Sequence, residues 1–219
     1  MPSVAENLRE IKAEIPDFKG RIIAVTKYVD ENKVIEAYEA GLRNFGENKV
    51  QDALKKMENL PEELVKNSTW HMIGHLQSNK VRKVVGKFEY IHSVDSFELA
   101  KKISDVAKEM GIIQKILIEV NISQEKTKFG ISEEKIEEIF QNLKNLDGVE
   151  ICGLMTMAPY TPNEVFLKKV FTNLVELGYN LQRRYQYELK ELSMGMSSDY
   201  KIAVSSGSTM IRLGQRLFR

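Results

Sequence analysis

The chain has 219 residues, 42% of them hydrophobic and 29% charged, with a formal net charge of +1. That length admits one large α/β domain or two small ones, and the balance excludes general disorder and any global attraction to nucleic acid or an anionic membrane. The lone Cys152 fits a reducing compartment, no apolar run approaches the roughly 20 residues that span a bilayer, and no secretory signal pattern opens the chain, so a cytoplasmic protein is expected.

Ser3 and Glu6 have capping-box spacing, and Val4, Leu8, Ile11 and Ile15 form one stripe, predicting a helix ahead of the first strand. Residues 21–27 form a buried strand that closes on Lys27. Asp30 then caps a helix with Val34, Ile35 and Tyr38 inward. Strands follow at 43–46, 70–74 and 89–93, with a helix over about 47–59 between the first two. After Asp95 a helix turns Leu99, Ile103, Val106, Ala107 and Met110 to one side. Residues 115–122 carry the strongest β signal. Ser132 caps a helix that buries Ile136, Ile139, Phe140 and Leu143. A strand at 150–155, a long helix over roughly 163–187, a strand at 192–195, a short helix near 199–205 and a strand at 210–214 complete the series.

Eight β/α units with short connections predict a parallel sheet with helical crossovers, and eight specifically predict closure. The expected fold is α/β: a single-domain (β/α)₈ TIM-type barrel over residues 1–219, with an extra N-terminal helix. An open doubly wound sheet is the alternative, but the Gly-rich fingerprint after its first strand is missing.

In such barrels functional groups collect at the C-terminal ends of the strands. Lys27, Asn48, His92, Asn121, Thr156, the run Met194–Ser197 and the run Arg212–Gly214 fall there. Lys27 shares a strand face with Ile23 and Val25, and Arg212 with Met210. If those faces are interior, desolvation and mutual repulsion favour the neutral, nucleophilic lysine amine. A Lys27 that reaches solvent, and an Arg212 that pairs with Glu119, are the structural alternatives.

Barrels often bind phosphate after the last two strands, where Ser197 and the Gly214 and Gln215 amides stand. Ser208 and Thr209 lie roughly 10 Å away along the strand, at its opposite end. A strand-end lysine, a strand-borne arginine and a Ser/Gly anion cradle together suggest a phosphorylated aldehyde held as a Schiff base, with pyridoxal 5′-phosphate (PLP) as the candidate. His71 and His75 share no helical face, so no metal site is expected. Lys80, Arg82 and Lys83 read as a solvated helix face rather than a nucleic-acid surface.

The motifs form an ordered set along nearly the whole chain: Ala24-Val25-Thr26-Lys27, Asn44-Phe45-Gly46-Glu47-Asn48, Trp70 to Lys80, Ile91-His92-Ser93-Val94-Asp95-Ser96, Val120 to Ser123, Gly153 to Pro159, Leu192 to Ser197 and Gly207 to Gly214. This set resembles the PLP homeostasis protein family, whose barrel is similar to the N-terminal domain of alanine racemase. The resemblance implies PLP bound covalently to Lys27, Arg212 facing the pyridine nitrogen, phosphate held by Ser197 and Gly214, and His92 and Asn48 lining the ring. Met194 and Gln215 complete the expected cofactor-binding set. Members of that family usually continue a few residues past the position of Phe218, and this sequence ends at Arg219.

The function implied is a monomeric carrier or buffer of PLP in vitamin B6 and amino-acid homeostasis, with apo-PLP enzymes as partners and no committed reaction. The rival is a small PLP-dependent racemase or decarboxylase. Racemases with this barrel draw a second acid/base tyrosine from an added domain, and Tyr28, Tyr160 and Tyr200 are the local substitutes to weigh.

Overall fold

A computed structural model describes residues 2–125 and 129–219. Its strands are β1 (Arg21–Val25), β2 (Asn44–Glu47), β3 (Thr69–Met72), β4 (Tyr90–Val94), β5 (Gln114–Asn121), β6 (Ile131–Ser132), β7 (Val149–Met155), β8 (Glu191–Met196) and β9 (Met210–Leu213). All but β6 join one ring. Parallel pairs run from β1 through β5, on through β7, β8 and β9, and back to β1, so the sheet has no open edge. The two residues of β6 pair with β5 outside that ring. The expected barrel is therefore the observed one.

Alternation along the strands sorts side chains into two apolar layers. Ile116 and Ile118 join the large core beneath the helices, while Leu117 between them joins an interior cluster with Ile23, Tyr90, Cys152, Met155 and Met210. Helices cover the outside: α1 (Val4–Glu14), α2 (Glu31–Glu39), α3 (Val50–Asn59), α4 (Glu62–Lys66), α5 (Val81–Val84), α6 (Phe97–Glu109), α7 (Ile136–Leu143), α8 (Glu164–Tyr185), α9 (Tyr200–Ser205) and α10 (Gln215–Phe218). Among the described residues no helix is long and apolar enough to cross a membrane.

The capping box of Ser3 and Glu6 forms, and Val4, Leu8, Ile11 and Ile15 are buried as the stripe predicts. This helix packs against α10, which has only four residues. Asn7 holds the two together, its side-chain amide donating to the Leu217 carbonyl at 3.0 Å and the Arg219 carbonyl at 3.3 Å.

Local expectations needed three corrections. Ser132 caps nothing: it lies in β6, and a three-residue turn separates it from α7, whose cap residue Lys135 makes no side-chain bond. Met110 is 48% exposed because α6 stops at Glu109. The residue that caps α6 is Ser96, accepting from the Leu99 amide. Glu47 belongs to β2, so the helix expected from residue 47 starts at Val50.

Candidate functional site

The C-terminal ends of β1, β8 and β9 meet at one point of the barrel mouth. β1 stops at Val25, and Thr26 extends its ladder by donating its amide to the Gly46 carbonyl at 3.0 Å. The chain then turns, which carries Lys27 out of the sheet. Lys27 is exposed rather than buried, its ammonium 4.9 Å from the centre of the Tyr28 ring. The expectation of a desolvated lysine on the interior face is thus corrected. No described carboxylate lies within ion-pair distance of it.

Thr26 is held firmly. Its hydroxyl donates to Glu47 Oε1 at 2.6 Å, and the Lys56 ammonium donates to the Thr26 carbonyl at 2.5 Å and to the same Glu47 oxygen at 2.7 Å. The Glu47–Lys56 pair sits under helix α3, with Glu47 fully buried.

Beside the end of β1 stands Gly214, in van der Waals reach of Val25. The Ser197 hydroxyl accepts from the Gly214 amide at 3.3 Å and from the Arg216 amide at 3.2 Å. The hydroxyl of the β8–α9 loop and the amides that open α10 therefore form one hydrogen-bonded cluster. The Arg216 amide joins that of Gly214 on the Ser197 hydroxyl, and Gln215 between them is exposed. Ser208 and Thr209 are occupied elsewhere, as their strand position implied. Ser208 bonds the Met194 carbonyl at 2.8 Å, and Thr209 bonds Glu191 at 2.8 Å.

Arg212 is 4% exposed. One guanidinium arm donates to Ser193 Oγ at 2.5 Å and the other to the Thr156 carbonyl at 2.9 Å. Guanidinium carries five N–H donors; among the described residues the other three find no protein acceptor. No ion pair with Glu119 forms. Burial lowers the Arg212 pKa to about 10, against the fields of Asp199 and Glu119, which raise it. Glu119, 3% exposed on β5, is pushed up to about 7 by desolvation and by Asp95, while Arg212 lowers it. His75, stacked on Phe129, pairs with Asp95 at 3.3 Å.

Below Arg212 polar side chains share the barrel interior with the apolar cluster. His92 is fully buried, its Nδ1 2.9 Å from Ser193 Oγ and its Nε2 2.9 Å from His71 Nδ1. His71 Nε2 lies 3.1 Å from Asn44 Oδ1. His92 was expected to line the cofactor ring at the mouth; its place is within the barrel, behind Ser193. Met194, expected in the cofactor-binding set, turns its side chain into the outer core, opposite Ser193. Asn48 is half-buried just past β2, with its backbone so close to Gly74 that any Cβ on residue 74 would collide with it. Among the described residues no group of three His, Cys, Asp or Glu side chains is arranged to hold a metal.

A lone amine, a buried arginine with unspent donors and a hydroxyl–amide cluster at one mouth fit an aldehyde, a heteroaromatic ring and a phosphate. The chain matches the alanine racemase N-terminal domain family over residues 1–219. The pyridoxal phosphate homeostasis protein of Aquifex aeolicus is 41% identical over 199 residues, 91% of this chain and 86% of that protein. This chain belongs to the pyridoxal phosphate homeostasis protein family. The Synechocystis relative of the same name is 39% identical over 95% of this chain and 94% of its own. PipY of Synechococcus elongatus, solved without PLP, aligns with a TM-score of 0.92 at 37% identity, covering 99% of this chain and all of that one. Its PLP-bound structure aligns at 0.88. Alanine racemase of Clostridium difficile, at 16% identity and a TM-score of 0.81, shares the fold over 56% of its length.

Ser193, His71 and Lys56 were missed as parts of the site. One signal for the first two was available: polar residues on inward positions of otherwise apolar strands must find partners inside the barrel.

Proposed function

We propose that this chain binds PLP at the mouth of its barrel, through a Schiff base to Lys27, and acts as a carrier and buffer of the cofactor. The observation that carries the reading is the place of the Gly214–Ser197 cluster beside the end of β1, two residues before Lys27, in a chain that aligns along 99% of its length with PLP-bound PipY. Arg212 would face the ring nitrogen, and Ser197 with the Gly214 and Arg216 amides would hold the phosphate. Lys27 would supply the amine that condenses with the aldehyde, its two hydrogens leaving with the aldehyde oxygen as water.

The carrier reading is favoured over catalysis on two grounds. An arginine opposite the ring nitrogen disfavours its protonation, which weakens the ring as an electron sink. Racemisation also needs a second positioned acid/base. Tyr28 and Tyr160 are 83% and 95% exposed, and neither hydroxyl makes a hydrogen bond among the described residues. The Tyr200 hydroxyl is engaged by Glu14 of α1. The reading further places the protein in the cytoplasm as a monomer, one barrel forming the whole binding unit, with apo-PLP enzymes as recipients.

The test is borohydride reduction of the PLP-loaded protein followed by peptide mapping. A pyridoxyl adduct on the Lys27 peptide is expected, together with loading of an apo-PLP enzyme and no amino-acid turnover above free PLP. An adduct on another lysine removes the Lys27 assignment. Turnover that disappears in Lys27→Ala makes the protein an enzyme.

A further inference from the structure

The polar groups inside the barrel form one continuous chain: Asn44, His71, His92, Ser193 and Arg212, from the start of β2 to the upper half of β9. Its two ends have fixed chemistry. Guanidinium only donates, so Ser193 Oγ must accept from Arg212; the Asn44 carbonyl oxygen only accepts, so His71 Nε2 must carry a proton. A neutral His71 then accepts at Nδ1, which requires His92 to donate from Nε2 and accept at Nδ1. The Ser193 hydroxyl supplies that last proton. Both ends dictate the same direction, and each link from Asn44 to Arg212 is matched once.

The geometry points to His92 and Ser193, backed by His71 and Asn44, as positioning residues that fix the plane and donor direction of the Arg212 guanidinium. This rests on the reading that Arg212 faces the PLP ring. Adding a proton to His71 would force His92 into its other tautomer, turning a proton instead of a lone pair toward Ser193, whose oxygen would then have to accept from both His92 and Arg212. Both imidazoles are held neutral against that by burial, which lowers the His71 pKa to about 3 and takes His92 well below the usual histidine range. The Thr156 carbonyl pins the second guanidinium arm. Only the three unspent N–H groups remain for a ligand.

Long-range ¹H–¹⁵N spectra of histidine-labelled wild-type protein test the chain without any variant or cofactor. His71 and His92 should both show a protonated Nε2 and a bare Nδ1, unchanged from pH 6 to 8. An Nδ1–H tautomer at either residue, or titration in that range, overturns the relay. In Ser193→Ala, His92 should lose its single tautomer, PLP affinity should fall about tenfold, equivalent to about 1.4 kcal/mol, and the visible band of bound PLP should move. Ser193→Thr should restore all three. Loss of the tautomer with an unchanged band and affinity would overturn the positioning role. If Arg212→Gln leaves PLP binding and its spectrum untouched, the reading of Arg212 falls, and the tautomer spectra still decide the relay.

Discussion

Glu119 and the two buried histidines give the protein opposing pH responses, each traceable to one side chain. The Glu119 carboxyl rises from an ordinary 4.5 to about 7 on folding, through desolvation and the field of Asp95. A raised acid favours the folded state fully below about pH 4.5 and loses that contribution as pH climbs toward 7. The difference is on the order of 3 kcal/mol. Glu119→Gln should therefore remove a stability loss between these limits and stabilise the protein at pH 8, read as a higher urea midpoint with unchanged m. An unchanged midpoint at pH 8 would mean that the carboxyl is ionised at no cost. His71 has the reverse sign: its pKa falls from 6.5 to about 3, so its contribution is present above pH 6.5 and is lost as pH drops toward 3. Wild-type protein should lose stability on acidification through this window. His71→Asn should flatten the acid limb, and an identical limb in the variant would rule His71 out as its source.

At the scale of elements, the contact between β2 and α3 is where the Lys27 segment is made rigid. Breaking a buried ion pair by removing one partner costs about 3–5 kcal/mol, because the other charge is left unpaired. Lys56→Met should show a loss of that size in urea unfolding, since it strands a fully buried Glu47 whose Oε2 already lacks a partner. Glu47→Leu combined with Lys56→Met should recover most of it. A double variant as weak as the single one would show that the hold on Thr26, rather than the stranded charge, carries the energy.

The same elements show what was legible in the sequence. The eight ring strands were, because most are short apolar runs between cap and turn residues, and their number implies closure; the two-residue β6 was not. Lys27 was misjudged by a distance of two residues: a strand ending at Val25 and one ending at residue 27 look alike in sequence, yet only the second buries the lysine. Ser193 was illegible because its partners come from register. β8 slips against β9 between Ser193 and Met196, and that slip decides which hydroxyl meets Arg212. His71 and His75 drew notice as neighbours in sequence, whereas His71 pairs across β3 and β4 with Tyr90, which puts His92 within reach of its ring.

On the scale of the molecule, the ring is sealed by a single long-range pairing, Arg21 to Ala24 against Met210 to Leu213. The proposed ligand groups Ser197, Arg212 and Gly214 all lie on or beside this seam, and Lys27 follows directly from it. A ligand that binds only the closed ring stabilises it by mass action. PLP should therefore slow amide hydrogen exchange at residues 21–24 and 210–213 by more than tenfold, with smaller effects at β3 to β5. Uniform protection around the ring would separate the site from the seam. The seam also sets an order of assembly. Strands that follow one another can pair early, but β1 has to wait for a partner from the far end of the described chain, and such non-local contacts form slowly. Until β9 arrives, the growing sheet has unpaired edges at β1 and β8, the surfaces most prone to joining a second chain. Dilute refolding should give more active barrel than concentrated refolding. The loss at high concentration would be decided in the interval before four residues close the circle.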